Sequence, residues 1–233
     1  MVSNEVEYPL DYRRNVGKPT DAMFGYVAKG LFGKDVALEG APHQTLGFYK
    51  EGDIAYEDLN HDDFIDENDR KMVGNSFPRV NMGLNIDLGY KGFAVSLLGV
   101  TRLGVNSWLN NEYYWNYGDN KWSDQTLNCY HKERNPAGTY PRLTSLNGAN
   151  NFVNSTFWLA NTSFFRLKNV ELSYTFGHDQ PLSQTIKTVK VFLRGTNILT
   201  VSKVKDLDPE ALNAGVNNYP MFSTYTAGLS VVF

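Results

Sequence analysis

The chain has 233 residues, 22 Lys+Arg against 25 Asp+Glu, a formal net charge of −3 and one cysteine. That length can bury a sizeable core. The near-neutral balance gives no bulk attraction for nucleic acid, and lone Cys129 excludes an internal disulfide framework or a Cys-rich metal site. No run approaches the ~20 apolar residues of a membrane-spanning helix, whereas a membrane β-barrel is not excluded, since its strands carry apolar residues only at alternate positions.

In chain order, the opening MVSNEVEYPLDYRRNVGK lacks an apolar core segment, so no secretory leader is expected there. A first, weakly patterned strand is predicted over Met23–Phe32. The acidic stretch 58–69 follows. Aligned to the D-x-[DN]-x-[DN]-G-x5-E calcium loop, Asp58, Asn60, Asp62, Asp66 and Asp69 fall at positions 1, 3, 5, 9 and 12. Phe64 at position 7 would offer its carbonyl, and Ile65 is the apolar anchor. Two residues depart from the pattern: Asp63 stands where glycine is usual, and Asp69 has a shorter arm than the usual Glu. The stretch has two readings, a calcium site built from hard oxygens and a solvated turn held by its own Asx bonds.

Val80, Met82, Leu84, Ile86, Leu88 and Tyr90 then alternate with Asn81, Gly83, Asn85, Asp87 and Gly89. Phe93, Val95 and Leu97 resume after a Tyr90–Gly92 turn, which together predicts a hairpin. Segment 104–162 is long, polar and rich in aromatics, with Trp108, Tyr113, Tyr114, Trp115, Tyr117 and Trp122 close together. Such rings fit three roles: stacking on a sugar, anchoring a protein partner, or packing inside an ordered loop. Val170, Leu172, Tyr174 and Phe176 alternate next. The GHDQPLSQTIK turn, a strand over Val189–Thr200 and a long loop over 201–222 follow. In the last strand Tyr225, Ala227, Leu229, Val231 and Phe233 share one face.

Alternation alone suits a soluble β-sandwich with polar faces outward as well as a barrel with a wet lumen. Two features favour the barrel. Short turns alternate with long loops, the asymmetry of outer-membrane barrels, and the chain ends on an aromatic, Phe233, in an alternating strand. A last strand that ends in the periplasm would place 201–222, 104–162 and 33–76 outside, and the turns after Tyr90 and Phe176 inside. His43, His61, His131 and His178 show no metal-ligand spacing, and Asp87 and Glu171 read as single lumen-facing carboxylates. With no nucleophile elbow, phosphate loop or dinucleotide fingerprint, no catalytic residue is assigned and an enzyme is not expected.

Six segments together carry a resemblance: VGKPTDAMFGYVAKGLF, the run from GDIAYEDLNHDD to YKGFAVSLLGV, YPRLT, SFFRLKNVELSYTF, VKVFLRGTNILTVSKVKDLDPE and TAGLSVVF. They resemble the C-terminal end of SusC/RagA-type TonB-dependent outer-membrane transporters, from about Asn15 to Phe233. The resemblance implies an all-β antiparallel meander with long outside loops, part of a 22-stranded barrel with an N-terminal plug; about six spanning strands are counted in this chain, and no plug domain is expected in it. It implies nutrient import of glycans or peptides across the outer membrane with a SusD-like surface lipoprotein. TonB would act through an N-terminal region not recognised here. It also carries the calcium-type loop onto Asp58, Asn60, Asp62, Phe64, Asp66 and Asp69, and the closing-strand signal onto Tyr225, Leu229, Val231 and Phe233. A runner-up from another class is a secreted, calcium-stabilised sandwich that binds carbohydrate through its aromatic loop.

Overall fold

The computed structural model describes residues 8–119, 122–144, 149–179 and 182–233. Asn120 and Lys121 of the aromatic segment, Gln180 and Pro181 of the GHDQPLSQTIK turn, and the first seven residues of the opening segment lie outside them. In chain order the strands are β1 (Ala22–Tyr26), β2 (Ala28–Leu31), β3 (His43–Gln44), β4 (Ile54–Tyr56), β5 (Phe64–Ile65), β6 (Arg70–Asn75), β7 (Val80–Tyr90), β8 (Phe93–Leu103), β9 (Asn106–Trp108), β10 (Leu159–Asn161), β11 (Phe164–Phe176), β12 (Thr188–Ser202) and β13 (Thr224–Val232). The chain divides into two units.

One unit comprises 78–104, 162–210 and 219–233. It is a single antiparallel sheet in the order β13-β12-β11-β8-β7, with neighbouring strands antiparallel throughout. The strands span 9 to 15 residues, enough to cross a bilayer when tilted. Lys91 and Gly92 both have positive φ, 45° and 82°, the backbone of a two-residue turn whose twist matches its strands. A side chain on Gly92 would meet the Thr175 carbonyl at 2.8 Å.

Register sorts the side chains of this sheet into two faces. Leu84 stands opposite Gly99, Ile86 opposite Leu97, and Leu88 opposite Val95. Val95 pairs with Leu172, Leu172 with Leu193, and Leu193 with Ala227. The other face carries Asp87 opposite Ser96, Ser96 opposite Glu171, and Glu171 opposite Arg194. A shift between Leu167 and Asn169 in both ladders of β11 sets Lys168 out of register, with Asn197 at φ 52° in the facing strand. This bulge keeps Phe165 and Leu167 on the apolar face with Val170 and Leu172, although their spacing in sequence breaks alternation.

The second unit comprises 1–77, 105–161 and 211–218, so segments expected as separate outside loops fold together. Its strands are short and pair as β1-β6, β2-β4, β3-β5 and β9-β10. Leu31, Phe32, Ile54, Tyr56, Ile65 and Trp158 form its core. Short ladders leave backbone groups unpaired, and buried amides serve them. Gln44 Nε2 donates to Ile54 O (3.0 Å) and Asn150 Oδ1 (2.7 Å), while its Oε1 accepts from Tyr56 N at 2.8 Å. Asn151 Oδ1 accepts from Ile54 N at 2.9 Å, and its Nδ2 donates to buried Asp53 at 2.7 Å.

Two expectations change. The described residues hold five long strands rather than about six: Met23–Phe32 is divided at Val27 into β1 and β2, because its halves pair with different partners, β6 and β4. The sandwich alternative finds no support, since among the described residues the long-stranded unit is one sheet without a second layer of its own.

Candidate functional site

The two-faced sheet is the first functional feature. Met82, Leu84, Leu88, Leu172, Leu193, Tyr225 and Leu229 stay exposed on the apolar face, each about half or more accessible. A water-soluble sheet would cover such a continuous surface. At the end holding the Lys91–Gly92 turn the rings gather: Phe93 and Tyr174 lie 4.5 Å apart between centroids, and Tyr174 and Phe176 lie 4.7 Å apart. Of the closing-strand residues, Tyr225, Leu229 and Val231 stand opposite Gly195, Val191 and Val189 on this apolar face, and Phe233 is exposed just beyond β13.

The polar face carries ion pairs. Glu171 accepts from Lys190 Nζ at 2.8 Å and from Arg194 Nε at 2.9 Å. A second group closes the segment after β12 onto the sheet. Arg166, 1 % exposed, donates to Asp208 (2.8 Å), Glu210 (2.7 Å) and Thr200 Oγ1 (3.0 Å). Arg102 holds the other Glu210 oxygen at 3.1 Å. The LDPE segment is marked in the sequence only by the family resemblance. Its pairing with a buried arginine 42 and 44 positions earlier leaves no mark in sequence spacing.

The acidic stretch is a closed web. Asp58 accepts from His61 N (2.6 Å) and Asp63 N (2.9 Å). Asp62 accepts from Phe64 N (2.9 Å) and Asn60 Nδ2 (2.8 Å). Asp66 and Asp69 form a reciprocal capping box around the turn 67–69. Asp69 is fully buried and also accepts from Leu59 N at 2.8 Å. Burial pushes its carboxyl above the usual carboxylate range, against the lowering effect of those backbone donors. Asp63 has φ 65°, so it supplies the left-handed backbone that glycine usually gives at this position. Phe64 is half-exposed and meets His43 edge-on at 6.0 Å. Among the described residues no three or more His, Cys, Asp or Glu side chains converge in the manner of a metal cage. The donor chemistry suits a hard cation, but this arrangement does not yet gather it.

The aromatic segment folds inward over most of its length. Tyr114 is buried, and Trp115 lies 5.7 Å from Phe152 and 6.4 Å from Trp158. Tyr117 sits 4.9 Å from Phe152. Tyr113 donates from its hydroxyl to Asp124 at 2.8 Å. Trp108 belongs to β9, opposite Leu159, and Trp122 is the exposed member. Trp115 directly, and Tyr117 through Phe152, thus enter a cluster with buried Trp158, whose Nε1 donates to Asn151 O at 2.6 Å, while Tyr114 packs edge-on against Tyr113. Phe152 and Trp158 lie in the part of segment 104–162 that the sequence reading did not single out.

No family model matches the chain. It is 30 % identical over 184 residues to the TonB-dependent receptor SusC of Bacteroides thetaiotaomicron, covering 76 % of the chain and 17 % of the relative. It is 27 % identical over 242 residues to TonB-dependent receptor P3 of Formosa agariphila, covering 93 % of the chain and 22 % of the relative. The chain therefore spans about a fifth of the length of the curated relatives it matches. Among solved structures, the RagAB peptide transporter matches 90 % of the chain and 22 % of its own, with a TM-score of 0.65 and 24 % identity. The RagAB peptide importer in its closed-closed state gives a TM-score of 0.62 at 22 % identity, over 90 % of the chain and 23 % of its own. These two likenesses support the fold.

Proposed function

We propose, from its likeness to TonB-dependent receptors including SusC, that the chain forms the C-terminal part of a SusC/RagA-type outer-membrane importer of glycans or peptides. The observation that carries this reading is the five-stranded meander with one continuous apolar face and one charged face. Such a sheet suits lipid on one side and a wet lumen on the other. Its role is barrel wall, closing strand and, through the second unit, ordered outside structure. A SusD-like surface lipoprotein is the proposed partner. TonB coupling is proposed for the whole protein rather than for these residues. No catalytic role is proposed.

Fractionation of source cells tests this. An antibody against 104–160 should find an outer-membrane band that shifts between unboiled and boiled samples and runs far above 26.3 kDa. A soluble band at that mass would overturn the reading.

Calcium at Asp58–Asp69 is a separate proposal. It is supported by the hard-oxygen composition and by the left-handed backbone at Asp63. Binding would require Asn60 Nδ2 to release Asp62 and the carboxylates to converge. Calcium titration of the purified protein, followed by calorimetry, should give heat that Asp58→Asn abolishes. An unchanged baseline would leave the loop a self-bonded turn.

A further inference from the structure

We propose that the unit built from 1–77, 105–161 and 211–218 carries an anion-binding cavity, taking a small ligand that bears a carboxylate or sulfate group. The cavity is an open groove of about 540 Å3 between the turn at Lys50–Glu51 and the loop over 127–135, with Lys50, Lys132 and Arg134 exposed along it; that volume is within the range of small-molecule sites. Lys50, Lys132, Arg134 and Arg142 line it, and Glu51 is the only carboxylate among the lining residues. In a chain of net charge −3 that is a local reversal of sign.

Two of the cations are already engaged. Arg142 Nε meets buried Asp53 at 2.8 Å, which fixes the guanidinium in the wall. Lys132 lies 3.3 Å from Glu51, with its side chain 73 % exposed, so solvent weakens that pair. Lys50 and Arg134 have no ion pair among the described residues. They are the cations a ligand anion would engage, with Arg134 capable of bidentate contact. His131 adds a further donor. Its Nδ1 accepts from the backbone N–H of Glu133 and of Arg134, both at 3.2 Å, which leaves the ring proton on Nε2. Tyr130 and Leu143 give the cavity an apolar wall, so the ligand is an anionic group on a partly apolar body, such as an acidic sugar or an acidic amino-acid residue.

The backbone holds this shape. Gly52 has φ 91° beside Lys50 and Glu51, its carbonyl accepts from Arg142 N at 2.8 Å, and an added Cβ would meet the Arg142 side chain at 3.0 Å. The loop across the cavity is pinned by Asn135 Nδ2, which donates to Cys129 O at 3.0 Å.

The inference rests on the import reading for its biological purpose only, and its test is read at the cavity whichever cell fraction holds the protein. Lysine acylation of the native protein, followed by peptide mass spectrometry, reports Lys50 and Lys132 against exposed Lys203 and Lys205. Galacturonate, glutamate and inorganic sulfate are the anionic probes, with galactose as the neutral control. Lys50 and Lys132 should be protected severalfold by at least one anion and not by galactose, with Lys203 and Lys205 unchanged. The galacturonate, glutamate and sulfate arms distinguish the source of the anion. The double variant K50A/R134A should need at least tenfold more ligand for the same protection at Lys132. Equal protection by galactose, no protection by any anion, or an unaltered dose response in the double variant would each overturn the proposal.

Discussion

Replacing Arg166 with methionine should release the segment after β12 from the polar face of the sheet. Methionine keeps most of the apolar stem, so the loss is chiefly the guanidinium. That group donates to Asp208 and Glu210 from a side chain that is 1 % exposed. Charge-assisted bonds contribute about 1.5–3 kcal/mol each, and breaking a buried pair costs about 3–5 kcal/mol. Both carboxylates keep some solvent contact at 22 % exposure, and Arg102 still holds Glu210 at 3.1 Å. The lower end, about 3 kcal/mol, is therefore expected. Lys203 and Lys205 are exposed trypsin sites just before the anchored carboxylates. When cleavage tracks the population of the opened segment, 3 kcal/mol corresponds to roughly 150-fold faster cutting there. Arg102→Met supplies the contrast: it removes a partner that is 41 % exposed, which is worth about 0–1 kcal/mol and so less than about fivefold in rate. Equal cutting of R166M, R102M and the parent protein would refute the claim that Arg166 holds the segment.

Gly52→Ala should destabilise the short-stranded unit by about 1–3 kcal/mol in urea unfolding, since it combines a positive φ with crowding from Arg142 and Tyr130. On the apolar face, Leu84→Lys should lower barrel stability by about 2–4 kcal/mol, whereas Asn85→Lys on the polar face should change it little; equal effects in a heat-shift assay would count against lipid contact. Burial raises the phenols of Tyr26, Tyr56 and Tyr140 above their ordinary 10.0. The folded state then keeps protons that the unfolded state loses, so stability should be full below about pH 10 and fall as pH rises above it. Tyr56→Phe should lower stability at pH 8 by about 1 kcal/mol through the lost bond to Asn150 O, and should flatten the alkaline fall.

The sheet was legible where one period runs unbroken. Val80–Tyr90 alternates for eleven residues, and its strand has those same bounds. Beyond Leu97 the pattern fades through Leu98, Gly99 and Val100, because Val100 lies on the same face as Arg166 while Gly99 adds no side chain to the apolar face. In β11 the bulge at Lys168 inserts one residue, and a period-two reading loses everything before it. The acidic loop was legible as composition and spacing, and Asp63 does take the left-handed backbone that the missing glycine put in question. The interior of the other unit was not legible. Gln44, Asn150 and Asn151 are polar and look like surface residues, yet they sit at 1–2 % exposure and replace absent ladder bonds. The cation cavity was hidden for a related reason. Lys50 and Arg134 are distant in sequence, and the turn at Gly52 together with the loop over 127–135 brings them to one cavity.

The edges of the sheet give the strongest physical constraint on its setting. Among the described residues, β7 and β13 each have a neighbour on one side only. Their outward N–H and C=O groups are easily served by water, but in hydrocarbon each unpaired group costs several kcal/mol. The apolar face between them is exposed for the full length of β7, which water disfavours. Neither medium suits the five strands by themselves. Further strands that pair along β7 and β13, closing the enlarged sheet with its apolar face toward lipid, would remove both costs together. Closure also turns Glu171, Lys190, Arg194 and the Arg166 cluster toward a lumen, where their charges stay hydrated. An open sheet in lipid would instead have to bury them or leave the edges bare. In the proposed barrel the same five strands therefore take additional strands, whether from the same polypeptide or another, before both faces are in the environment their side chains demand.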